Sequence, residues 1–180
     1  VSTNTVGAKL AGSNPLGGLT SSYAISYARQ SDAGANPASY TEDYYLLEGG
    51  LTFKRLGAAL GYEVLGSDGT NAFATPLATL HAFQGWADKF LATPAGGIED
   101  RYLRLTLPIA KRGRFTSVTA LAFFHDYSAN ADGTSYGQEL DLQLLARTER
   151  LALTLKYADY RAAALFTDTD KLWMSIDYAF

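Results

Sequence analysis

Apolar and mixed residues alternate along nearly the whole chain, and that period of two leaves room for strands and little else. Residues 172–180 show it most clearly: Leu172, Met174, Ile176, Tyr178 and Phe180 alternate with Trp173, Ser175, Asp177 and Ala179. Successive side chains of a strand point to opposite faces, so one face here is apolar and the other mixed. The pattern recurs at 151–160, 136–146, 99–109, 56–64, 44–54, 19–30 and 5–11. Residues 114–127 are strand-like in composition but ambiguous in facing, because Val118, Ala120, Ala122 and Phe124 compete with Leu121 and Phe123. These segments predict an all-β, antiparallel domain of about 8–10 strands spanning residues 1–180, each near the ~9 to 11 residues of a tilted membrane-crossing strand.

Charge placement gives the faces their meaning. Lys9, Glu48, Lys54, Glu63, Arg104, Glu139, Asp141, Lys156 and Asp177 fall on the mixed face, while the apolar face carries almost none at mid-strand. A soluble barrel would turn the Leu-rich face inward. A membrane barrel inverts the assignment, with Leu and Tyr on lipid and the charges lining a wet lumen. Two features favour inversion. Small residues such as Ala24, Ser26, Gly57, Ala59 and Gly61 are interleaved with the charges, as in a crowded lumen. Connections also alternate in length. Pro15-Leu16-Gly17-Gly18, Arg55, Lys111-Arg112-Gly113 and Thr148-Glu149-Arg150 are short, whereas 31–41, 65–98, 128–135 and 161–169 are long. Short periplasmic turns and long extracellular loops are the outer-membrane habit.

The fold expected is therefore an antiparallel transmembrane β-barrel of outer-membrane type, with those nine charged residues lining the pore. Its last strand resembles the closing strand of bacterial outer-membrane barrels, which implies that Tyr178 and Phe180 are read as an assembly signal. The 12 tyrosines suit aromatic girdles. Mean hydropathy is only −0.06, as expected when lipid-facing and lumen-facing residues cancel within any window. With Phe180 periplasmic, nine strands put residue 5 at the extracellular end, against the usual even count. Either residues 1–13 are not a strand, or the chain is the C-terminal half of a larger barrel, or several copies complete one. No signal peptide is visible at Val1, so the chain is either mature or cut.

Residues 65–98 break the rhythm. Pro76 and Pro94 bracket a stretch expected to form one or two helical turns in an extracellular loop, with Leu77, Leu80, Phe90 and Leu91 giving it an apolar side. His81, Phe83, Trp86, Asp88 and Lys89 are its constriction candidates, and a cap that only stabilises the rim is the alternative. The strings Tyr62–Gly69 and Phe73–Leu91, with Asp43–Gly50 and Leu155–Tyr160, resemble the C-terminal portion of alginate-export family outer-membrane porins of proteobacteria. That resemblance implies a barrel of about eighteen strands of which this chain supplies about half. It also implies an outer-membrane channel function, with alginate-like saccharides as cargo.

Other classes fit poorly. There is no cysteine, and the net charge of −3 argues against nucleic acid. His81 and His125 are the only histidines; neither stands in a nucleophile–base pattern, and His125 reads as a rim residue. Acidic pairs such as Glu99-Asp100 lack cation-loop spacing. No catalytic residue, metal or cofactor is expected. The expected partners are the lipid bilayer of the bacterial outer membrane, its assembly machinery and small polar or anionic solutes. The alternatives are a small closed barrel acting as scaffold or ligand port, and a soluble lipocalin-like carrier.

Overall fold

The computed structural model describes residues 2–75, 84–109 and 113–180. They form nine strands: β1 Thr3–Leu16, β2 Leu19–Asp32, β3 Thr41–Phe53, β4 Leu56–Leu65, β5 Ile98–Ile109, β6 Ser117–Ser128, β7 Ser135–Arg147, β8 Leu151–Ala162 and β9 Thr169–Tyr178. All belong to one antiparallel sheet in sequence order. Each strand pairs with the next along most of its length, because every connection is a hairpin between patterns of the same period.

Two expectations need correction, and one alternative is settled. The segment read as a strand at 5–11 is one, so residues 1–13 are not outside the sheet: β1 runs from Thr3 to Leu16 and is paired throughout, Thr3 with Asp32 and Leu16 with Leu19. Its polar ends, Thr3-Asn4-Thr5 and Ser13-Asn14, weaken the sequence signal but not the ladder. The chain also does not close on itself. Among the described residues β1 and β9 are the two edges, and with nine antiparallel strands they run in the same direction. Finally, the described residues contain no helix. Gln84, Gly85 and Asp88 hold φ of +49°, +82° and +57°, and three left-handed residues within five leave no run of right-handed turns. Pro76, Leu77, Leu80, His81 and Phe83 lie outside the described residues.

Register fixes two faces of opposite character. On one, the row through Leu10, Ile25, Leu47 and Tyr62 continues to Arg101, Asp126, Gln138 and Arg161. The apolar band therefore slants across the hydrogen-bonding direction. This face is open, with Leu10, Leu47, Leu60, Leu142 and Met174 all exposed. On the other face run Ala11, Ala24, Glu48, Gly61, Tyr102, His125, Glu139, Tyr160 and Thr169 in one row. The ambiguity of β6 resolves here: Leu121 and Phe123 pack against the buried cluster, and Phe124 is exposed.

The core lies where the β4–β5 connection folds back over the charge-bearing face. Phe73, Trp86, Ala87 and Phe90 from that connection are buried against Leu65, Ile98, Tyr127, Tyr136, Ala158 and Tyr160. The Phe90 ring meets those of Tyr127, Tyr136, Tyr160 and Phe166 at centroid distances of 4.6 to 6.3 Å. The first limb of the connection is pinned to β2, where the Gln30 amide donates to Ala74 O and accepts from Ala74 N at 2.9 and 2.8 Å. Asp68 caps its tip, accepting the N–H groups of Thr70 and Asn71 at 2.7 Å each.

Candidate lumen face

Small residues decide where the polar side chains of this face reach. A Cβ on Gly61 would run into the Tyr102 ring. With glycine there, the ring lies across β4 and its hydroxyl donates to Glu48 on β3 at 2.7 Å. Arg104 donates to the other Glu48 oxygen at 2.6 Å, so one carboxylate joins β3 to β5. Tyr44 donates to Glu63 at 2.6 Å, and Gln84 from the connection donates to its other oxygen at 2.8 Å. These groups, with Lys9, Ser26, Asp100, Phe123 and His125, line a hollow of about 420 Å³. Lys9 is exposed and makes no ion pair among the described residues.

Beside the hollow, under the connection, lies a deeper acidic group. Asp100, Glu139 and Asp141 are each at most 1% exposed. His125 Nδ1 sits 2.8 and 3.0 Å from the two Asp100 oxygens, and its Nε2 lies 3.9 Å from Asp141. An ionised Asp100 only accepts, and Nδ1 would then carry the hydrogen in that contact. The Ala87 N–H donates to Glu139 Oε1 at 2.6 Å and the Trp86 N–H to Asp141 Oδ2 at 3.1 Å. Glu139 Oε2, Asp141 Oδ1 and the Tyr127 hydroxyl take no protein partner among the described residues. Lys156 Nζ stands 4.6 Å from the Trp86 ring centroid.

Of the nine residues expected on the pore wall, Glu48, Glu63, Arg104, Glu139, Asp141 and Lys156 fall within these two connected groups, with Lys9 at the edge. Asp177 occupies the same face but near the far end of β9, opposite Ala152 and exposed. Lys54 lies apart from both groups. It sits in the two-residue turn between β3 and β4 with φ +53°, and its ammonium lies 5.1 Å from the ring of Phe53 on the apolar face. A turn this tight needs a left-handed residue, and Lys54 supplies it.

Among the constriction candidates, Trp86 is buried, Asp88 is paired with Lys171 at 2.9 Å, and Lys89 lies 5.4 and 5.9 Å from the Tyr160 and Phe166 ring centroids. His81 and Phe83 lie outside the described residues. Tyr178 and Phe180 stack edge to face at 5.2 Å, with Phe180 fully exposed. His125 is not the rim residue expected: it is buried on the charge-bearing face and bonds Asp100, not its neighbour Asp126. Tyr102 falls on the mixed face with Arg104 by alternation, as it does here, but its contact with Glu48 is not signalled by the sequence; Asp100, Gln84 and Gly85 were not anticipated. Alternation back from Arg104 would have put Asp100 on this face, whereas nothing local signals that Gln84 or Gly85 docks there.

No three histidine, aspartate or glutamate side chains gather as metal donors among the described residues. The arrangement offers instead a polar wall with one accessible ammonium, a braced ion pair and a buried acidic seat. No family model, curated protein or solved structure matches this chain.

Proposed function

We propose that this chain forms part of an outer-membrane β-barrel channel through which small polar or anionic solutes diffuse, its charge-bearing face turned to the lumen. The observation that carries this reading is the inverted polarity of the sheet. Leu, Ile, Met and Tyr side chains stay exposed from β1 to β9, while Glu63, Asp100, Glu139 and Asp141 are buried on the opposite face. In water such a continuous apolar face is an aggregation liability; in hydrocarbon it is the required surface. A lipocalin-like carrier would need the Leu-rich face inside, and the folded-back connection lies on the other one.

The open edges belong to the same reading. Unpaired N–H and C=O groups along β1 and β9 are costly in lipid, so further strands must cover both. Since β1 and β9 run in the same direction, an all-antiparallel closure takes an odd number of additional strands, from the rest of a longer polypeptide. Self-association of this chain is the competing route and would require a parallel seam. A barrel of ~16 to 18 strands leaves an aqueous channel, and an eight-stranded one is filled by its own side chains. The alginate-export resemblance points to uronate-like saccharides as cargo, with Lys9 and Arg104 as the cations such a solute would meet.

Planar-bilayer recording of the complete polypeptide, with the strands that cover β1 and β9 present, under a salt gradient tests the proposal. Stable unitary steps are expected, and Lys9→Glu shifts the reversal potential toward cation preference. Silence from folded, membrane-inserted protein would remove the channel reading.

A further inference from the structure

The segment 84–90 is held in an unusual way: its backbone, rather than its side chains, makes the central bonds. Gln84 and Gly85 are both left-handed, and the next two N–H groups converge on carboxylates of β7. The acceptors are the carboxyl groups of Asp141 and Glu139, consecutive residues on one face of β7. Gly85 admits the approach, since a Cβ there would meet the Tyr127 hydroxyl and lie 2.6 Å from the Glu139 carboxyl carbon. Around these two bonds, Gln84 bonds Glu63, Asp88 pairs with Lys171, and Lys156 covers the Trp86 ring.

We infer that Glu139 and Asp141 are positioning residues that latch the 84–90 segment against the wall and thereby set the free width of the channel. They are 1% and 0% exposed, so a passing solute does not touch them and their influence runs through the segment. The latch stands on the contacts alone; its effect on width rests on the channel reading above. The specificity of the device lies in acceptor oxygens. Glutamine and asparagine keep a carbonyl for each N–H, and alanine keeps none.

These 180 residues hold two tryptophans, so a Trp173→Phe background, with any tryptophan of the covering strands likewise replaced by Phe, leaves Trp86 as the sole reporter. In that background, Glu139→Ala with Asp141→Ala is expected to red-shift Trp86 emission and raise its iodide quenching about twofold or more, as a docked segment opens locally. Glu139→Gln with Asp141→Asn should stay close to the parent. Ala87→Pro removes one donor from the segment's side without touching the strands and should also expose Trp86. Unchanged emission in the alanine and proline variants, each folded by circular dichroism and heat-modifiable migration, overturns the latch. Unitary conductance then addresses width, with steps roughly twofold larger expected once the segment is released. Released Trp86 with unchanged steps overturns the link to width. A silent parent removes the channel reading, and the Trp86 readout alone then decides the latch.

Discussion

At the scale of single residues, glycine positions matter as much as charged ones. Gly61 exists to let the Tyr102 ring cross to Glu48, so Gly61→Ala should push the ring aside and destabilise the folded protein by about 1–3 kcal/mol, read from denaturant unfolding in lipid vesicles. Asp68 gives a pH-dependent counterpart at the tip of the long connection. The N–H groups of Asn71 and Thr70 hold its carboxyl below the usual aspartate value. A depressed folded-state value means a contribution fully present above the unfolded value and lost as pH falls through the folded one. Amide protection at Thr70 and Asn71 is therefore expected to hold steady from neutral pH down to about 4 and to decline below that. Protection that falls between pH 7 and 5 would contradict this account.

Strands were legible in the sequence because their signal is local: a period of two survives in any window, and all nine segments read that way are strands, differing only at their ends. Facing was harder. It was ambiguous for β6 because both of its faces carry apolar residues, and only pairing with Arg104 and Asp141 puts Phe123 inside. The site was only partly readable, for the same reason. Glu48, Glu63, Arg104, Glu139, Asp141 and Lys156 announce themselves as charges on an alternating strand. His125 with Asp100 is a contact across 25 positions, and the Trp86 and Ala87 N–H groups meet residues more than 50 positions away. No window holds both partners. The two faces nevertheless make a sharp contrast at neighbouring positions of β7. Leu142→Arg should cost about 2–4 kcal/mol if the site lies near the bilayer midplane. Asp141→Asn, which keeps an acceptor for the Trp86 N–H, should leave unfolding nearly unchanged. Equal damage from both would undo the face assignment.

The whole molecule is a slanted, inside-out sheet: apolar where soluble proteins are polar, and buried where it is most charged. Tyr27 and Tyr157 donate to Asp43 and Asp170 at 2.9 and 2.7 Å near the long-connection ends of their strands, where the proposed channel would carry an aromatic girdle. The inversion is the claim on which the rest depends, and the absence of native cysteines makes it directly measurable. Ile25 and Ser26 are neighbours on β2 that point to opposite faces. Ile25→Cys and Ser26→Cys, each carrying the same environment-sensitive fluorophore, would be compared in vesicles with brominated acyl chains and with aqueous iodide. The account predicts that the label at 25 is quenched by the brominated lipid and spared by iodide, with the reverse at 26. Labels that respond alike, or in the opposite sense, would contradict it.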